Sequence, residues 1–347
     1  LSVVAGNCDL NPYGQEQEEV FVSCFEFTIG NDAPEISLEL PDSAEVWPTI
    51  PRGGASHLFD FTQIDNMLED ITVAVLNNEE PVSGQPVNVT TEWIEGTGGH
   101  NHNGNDDLSL PPQNRMGWII NTIEADSAQG QLETVTNEDG KIRLIYRAPE
   151  FGGQIRIIAQ TNINGEDLFA DDTLEVMVPD LVRLPNSNEY NKIGGTSSHN
   201  GPPLNGEDNN HYGTQAFVDS LGSLAVTWNE LADSAIINAD ETPLRFNDMS
   251  LPNGGKFDLD GRWLTELVGI AHDYHRVGRD LDIRTTRTLP VEGGRIGILL
   301  EPFLVNGEIV YRNTIFEELC TEKGANPIPR VHGENTSQEH YHIYFYH

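Results

Sequence analysis

Apolar and polar residues alternate with a period of two across short segments of the first half of the chain: 71–76, 87–93, 141–146, 154–159 and 173–178. Each is rich in Val, Ile or Thr, and Gly, Pro, Asn and Asp fill the intervals, so each predicts a half-buried strand. Their regular spacing predicts an all-β sandwich over residues 33–180. A second pattern follows: Phe217, Val218, Leu221, Leu224, Ala225, Trp228 and Leu231 fall on one stripe of a helix over 217–232. Another helix is expected over 312–323, capped by Asn313 and stopped by Gly324. Residues 341–346, aromatic and β-branched, read as a closing strand. Strands and helices mixed in this way predict an α+β domain over 191–347, joined through a linker at 181–190 to the sandwich.

Residues 1–32 stand apart as an extension. Phe21, Ser23, Phe25 and Phe27 alternate with Val22, Cys24 and Glu26, which predicts a strand that pairs with the next domain or with another copy of the chain. Strand addition between copies would build filaments. Self-association through 1–32 is therefore one expectation.

Composition narrows the setting. The chain has 347 residues and a net charge of −36, with 19 basic residues against 55 acidic ones. Sequence-independent nucleic-acid binding needs a basic face and is excluded. No apolar run reaches the roughly 18 residues of a membrane-spanning helix. Cys8 and Cys24 are close enough for a local bridge, leaving Cys320 over, which fits an oxidising compartment. With Leu1 in place of an initiator Met, the expectation is a mature, exported protein, extracellular, at the cell surface or periplasmic.

The chemistry sits in two histidine clusters near the end: His272-Asp-Tyr-His275-Arg-Val-Gly-Arg-Asp-Leu-Asp282, and Glu339-His340-Tyr-His342. A hydrolytic zinc site takes about three N or O ligands and leaves a fourth position to water, whose pKa falls to about 7. Two imidazoles and a carboxylate supply that set. A turn at Gly278 feeding a strand through Leu281, Asp282 and Ile283 would bring His275 and Asp282 together. On a strand through His342, His340 shares the face of His342 while Glu339 points the other way. Asp280, two positions before Asp282, shares a face with it, so that each carboxylate is expected to raise the other's pKa.

These residues, with Asn247-Asp-Met-Ser-Leu-Pro-Asn-Gly-Gly-Lys-Phe-Asp258 and Asn210-His-Tyr-Gly upstream, resemble the penicillin-insensitive murein endopeptidases. That family lies within the wider LAS group of zinc enzymes, alongside lysostaphin-type peptidases, D-Ala-D-Ala carboxypeptidases and the hedgehog amino-terminal domain. The resemblance spans roughly residues 185–347. It implies a zinc ion held by His275, Asp282 and His342 with His272 close by, and a catalytic His340, Glu339 being the second choice of general base. It also implies a peptidoglycan or other peptide substrate, with contacts from the loop containing Asn247, Asp248 and Ser250. Arg276, Arg279 and Arg284 crowd the metal motif and suit substrate carboxylates. They suit pairing with the chain's own acids equally well.

The segment 71–90 with 139–146 is similar to bacterial Ig-like domains of surface proteins. A second functional reading follows from it: a surface or filament-forming protein whose Ig-like module does the work, beside a peptidase-like domain that binds metal but is catalytically silent. Gly98-Gly-His100-Asn-His102, in a Gly- and Asn-rich loop, has two readings: a polar loop with incidental histidines, which is favoured, or a pair that binds a metal or reaches over the peptidase cleft.

Overall fold

A computed structural model of the chain describes residues 33–41, 45–49, 67–98, 116–194, 210–234, 243–258, 271–272, 275–284, 286–288, 295–297, 302–305, 308–325, 330–332 and 339–345. The strand expected within residues 1–32, the Cys8–Cys24 bridge and the His100-Asn-His102 loop lie outside these residues.

The fold is mostly β. The first eleven strands are β1 (Pro34–Glu39), β2 (Glu45–Val46), β3 (Leu68–Asn77), β4 (Glu80–Pro81), β5 (Pro86–Trp93), β6 (Trp118–Asn121), β7 (Asp126–Gln129), β8 (Gln131–Val135), β9 (Lys141–Arg147), β10 (Gly153–Ile163) and β11 (Glu166–Val176). They form two sheets, one in the order β1-β3-β9-β6-β7 with β4 hooked onto β3, the other in the order β2-β11-β10-β5-β8. Inward residues at alternate positions interleave between the sheets: Ile71, Val73 and Val75 with Ile142, Leu144 and Tyr146 from the first, and Val87, Val89, Ile155, Ile157 and Ala159 from the second. All are buried, which is what the period-two pattern requires when one sheet face meets another.

β10 and β11 run longer than their alternating segments suggest. Asn164 and Gly165 both take positive φ, 55° and 91°, the backbone of a tight primed turn that matches strand twist. It holds eleven residue pairs in register from Gly153↔Val176 to Ile163↔Glu166. The outer half of β11 is acidic, with Asp167, Asp171 and Asp172, so hydrophobic alternation could not reveal it.

The second unit centres on a five-stranded sheet, β13 (Tyr190–Lys192), β15 (Leu244–Phe246), β18 (Asp280–Arg284), β24 (His340–Tyr344) and β23 (Arg330–His332) in that order. Short pairs accompany it: β12 (Leu181–Arg183) with β14 (Tyr212–Thr214), β16 (Phe257–Asp258) with β17 (Ala271–His272), β19 (Thr286–Thr288) with β20 (Arg295–Gly297), and β21 (Pro302–Val305) with β22 (Glu308–Tyr311). Two helices join in, α1 (Gln215–Asp233) and α2 (Arg312–Glu322). Phe217, Leu221, Leu224 and Trp228 of α1 and Phe316, Leu319 and Cys320 of α2 share one core with Leu281, Ile283, Tyr341 and Ile343 of the sheet and with Phe345 just after it. No helix among the described residues is long and apolar enough to cross a membrane.

Helix ends show where local rules held. Thr214 caps α1, its hydroxyl accepting from the Phe217 N–H at 3.3 Å. At α2 the cap is Tyr311, with no side-chain bond, so the expected cap Asn313 lies two positions further on, inside the first turn. Gly324 follows the helix with φ 99°, the left-handed stop that glycine adopts at least cost.

The two units are clasped by loops. Glu150 receives the Arg276 guanidinium at 2.9 Å and its backbone carbonyl accepts from the Lys256 N–H at 2.8 Å. Val178 N–H donates to the Asn253 carbonyl, and the Asn253 amide to the Thr97 carbonyl at 2.8 Å. Arg276 is 1% exposed. Removing its carboxylate leaves a guanidinium buried beside fewer acceptors, so Glu150→Ala is expected to lower stability by about 2 kcal/mol in urea unfolding, discounted from the cost of a fully buried pair because Glu150 is partly exposed.

Candidate metal centre

The central sheet has a core face and a chemical face. Leu281 and Ile283 of β18, with Tyr341 and Ile343 of β24, point into the core. Asp280 and Asp282, with His340 and His342, occupy the alternate positions. Antiparallel pairing sets Asp282 opposite His342 and Arg284 opposite His340. Asp282 is further fixed by the preceding loop, its N–H donating to Asp248 O at 3.0 Å and its carbonyl accepting from Asn247 N–H at 2.8 Å.

His275 reaches this face from the loop before β18. Its φ is 63°, left-handed backbone that costs a non-glycine residue roughly 1 kcal/mol. Asp280 holds it there. One carboxylate oxygen accepts the His275 backbone N–H at 2.9 Å and the other stands 3.0 Å from His275 Nδ1. Gly278 makes the turn between them at φ 68°, its carbonyl accepting from Thr214 N–H at 2.8 Å, which ties the loop to the start of α1.

The result is a buried group of His275, Asp280 and His342 that could hold a metal ion, their donor atoms all within 4.8 Å of one another. The two imidazoles stack at 4.7 Å between centroids. Asp282 closes the other side: its Oδ1 lies 3.5 Å from His275 Nε2 and 3.2 Å from His342 Nδ1, and no hydrogen-bond donor is aligned on that buried oxygen. Around a tetrahedral zinc with ligand bonds of about 2.0–2.1 Å, neighbouring ligand atoms stand roughly 3.3–3.4 Å apart. His340, with a side chain 31% exposed, places Nε2 3.7 Å from Asp282 Oδ2.

The electrostatics run against one expectation. The paired carboxylates do not raise one another. Burial alone would raise Asp280, but His275 and His342 outweigh it and hold that carboxyl far below its usual range. The same opposition, with His340 added, brings Asp282 down to about 2. Burial would lower His275; the two carboxylates instead lift it well above an ordinary imidazole. A depressed carboxylate pKa stabilises the fold above about pH 4 and a raised imidazole pKa stabilises it most below about pH 6.5. Without metal, wild type is therefore expected to gain stability over His275→Asn at pH 5–6 and to lose that advantage as pH rises through the His275 pKa. Metal affinity should move oppositely, rising with pH as His275 gives up its proton. Thermal unfolding of both proteins across that range, with and without zinc, checks both signs.

Other expected site residues fall elsewhere. Glu339 is fully buried on the core side, where its charge acts on Arg312 and Tyr341, so the structure turns it away from the metal face. Asp248 and Ser250 are buried. Asp248 accepts from the Asn210 and Asn247 amides at 3.1 and 2.9 Å, and Ser250 bridges to Tyr212. Asp248 lies beneath Asp282, Ser250 is held to Tyr212 through its backbone, and the Asn247 amide donates to Asp248. Arg276 is taken by Glu150. Arg279 and Arg284 are half-buried beside the site. The backbone of His272 pairs with Phe257; its side chain lies outside the described residues. Two participants went unsigned in the sequence: Glu150, in a different unit, and Asp280 as the carboxylate that orients His275.

Neither a family model nor a curated protein matches this chain. Solved structures give weak likenesses. A conjugative transposon lipoprotein from Bacteroides eggerthii aligns with 40% of this chain and 95% of its own at 12% identity and a TM-score of 0.21. The D00-D0 domain of intimin aligns with 43% of this chain and 50% of its own at 14% identity and a TM-score of 0.21. BslA, a bacterial hydrophobin, covers 42% of this chain and 98% of its own at 13% identity and a TM-score of 0.20. Scores this low identify neither fold nor function.

The donor set therefore has to speak for itself. Two imidazoles with carboxylates suit zinc and other divalent transition-metal ions. Asp280 stands where an outer carboxylate orients a ligating histidine through its far nitrogen. Its second oxygen is occupied by the His275 N–H, and it is fully buried. Asp282 lies on the side that His340 opens to solvent.

Proposed function

We propose that the second unit is a zinc-dependent peptidase of the LAS type acting on peptidoglycan peptides, in an exported protein whose sandwich is an Ig-like module. The observation that carries this reading is the convergence of His275 Nε2 and His342 Nδ1 on one Asp282 oxygen at 3.5 and 3.2 Å. In it, His275, His342 and Asp282 hold the ion and Asp280 orients His275. A zinc ion there supplies a Lewis acid and lowers the pKa of a coordinated water.

The chain's own residues do the rest. His340, on the same face and partly open, is placed to take a proton during attack on a peptide carbonyl and to return it to the leaving amine. Burial of His275 and both aspartates keeps bulk water from competing for the ion. Of the arginines expected to meet substrate, Arg279 and Arg284 are half-buried beside the face and suit a peptide carboxylate.

Purified peptidoglycan incubated with the zinc-loaded chain, with digests analysed by mass spectrometry, tests the reading. New amino and carboxyl termini within the cross-linked peptides, abolished by a chelator and restored by zinc, are expected. Stoichiometric zinc with an unchanged muropeptide profile would overturn it.

A further inference from the structure

A second concave site lies on the sandwich, at its edge with the clasp. It encloses about 230 Å³ and is lined in part by Thr49, Trp118, Gln129, Arg147, Glu150 and Lys256. Its charge is unlike that of the rest of the molecule. The chain carries 55 acidic residues against 19 basic ones, yet the lining holds Arg147 and Lys256 with Glu150 as its one carboxylate. That carboxylate is already met by Arg276 at 2.9 Å, with Lys256 Nζ at 3.7 Å. Lys256 is 5% exposed, a buried cation directed into a cleft wall, where charge is screened least by water.

The remaining groups are arranged for a ligand. Trp118 is 41% exposed, and among the described residues no ring or cation packs on it. Arg147 is exposed and pairs through its backbone with Trp118 in the β6–β9 register, so the two side chains stand together at the end of one sheet. Its guanidinium has no carboxylate on it among the described residues. Gln129 adds a carboxamide opposite Trp118 in the β6–β7 register. An exposed indole gives a flat apolar platform, a guanidinium fork receives a planar carboxylate, and an amide serves hydroxyl groups.

We propose that this cleft binds a saccharide bearing a carboxylate, its ring on the Trp118 face and its carboxylate on Arg147 with Lys256 behind. A neutral sugar would leave the Arg147 guanidinium without an anion. An aliphatic carboxylate would leave the indole uncovered. None of its lining residues belongs to the metal group, and it needs neither zinc nor hydrolysis, so it stands or falls separately from the peptidase reading.

Calorimetric titration of the full, metal-free chain with N-acetylmuramic acid, glucuronic acid and N-acetylglucosamine tests it, beside Arg147→Gln and Trp118→Ala. Saturable binding of both acidic sugars is expected, about tenfold tighter than the neutral sugar, one charge-assisted bidentate pair being of that order. Arg147→Gln should erase that preference while leaving residual binding, and Trp118→Ala should weaken all three sugars. Both positions are exposed, and unchanged melting temperatures verify that the variants fold. Absence of saturable binding by either acidic sugar would overturn the proposal, as would equal affinity for acidic and neutral sugars in wild type.

Discussion

Asp282→Asn is expected to fold and to bind zinc at least about 1,000-fold more weakly than wild type, whereas Asp280→Asn should lose only about 10- to 100-fold. The two aspartates are neighbours on one strand face, both buried, and both flanked by the same histidines. Only their second oxygens distinguish them. That of Asp280 accepts the His275 N–H at 2.9 Å, so this carboxylate works on the histidine. That of Asp282 looks towards His340 at 3.7 Å, on the side a substrate can reach. An amide keeps the shape of either residue but loses the charge, so a direct ligand suffers more than an orienting one. Chelator competition read with metal content separates the two roles. Equal losses would place the ion between the aspartates, and the reverse order would make Asp280 the ligand.

Gly278→Ala should cost about 3 kcal/mol and weaken zinc binding with it. A Cβ there would stand 2.4 Å from Leu181 Cδ2, 2.8 Å from Gly213 Cα and 3.1 Å from Thr214 N, on backbone with φ 68°. Two of those three atoms are main chain and cannot step aside. The turn would have to open, and it is this turn that swings His275 back over Asp280. Gly222→Ala is a control of opposite sign. No atom lies within 4 Å of its new Cβ, and Ala in a helix interior is favoured over Gly by about 1 kcal/mol. Urea unfolding of both variants checks the pair of signs.

Legibility in the sequence followed the physics of each feature. Strands buried on one face announced themselves by alternation, as in β3, β5 and β9, and so did the α1 stripe. The same parity put His340 and His342 on one face and Glu339 on the other. What alternation cannot carry is the identity of an unseen neighbour. Arg276 looked like a substrate contact because its partner, Glu150, is 126 positions away in another unit. Asp248 and Ser250 sit in a motif that suggested substrate contacts, yet both are buried, Asp248 with its backbone bonded to Asp282 and Ser250 with its backbone bonded to Tyr212. The two aspartates looked like mutual repulsion until His275 and His342 were placed between them. The outer half of β11 is acidic and half-exposed, so only the Asn164-Gly165 turn marks it.

The central claim is most directly tested by His340→Ala measured beside wild type for zinc content and for cleavage of cross-linked muropeptides in the same samples. The His340→Ala change is predicted to leave the ion in place, because His275, His342 and Asp282 are the proposed ligands, and to remove a proton-transfer contribution of about 100- to 10,000-fold in rate. Full zinc with cleavage reduced by that factor is the predicted result. Cleavage equal to wild type, or zinc retained with no cleavage even by wild type, would contradict the account.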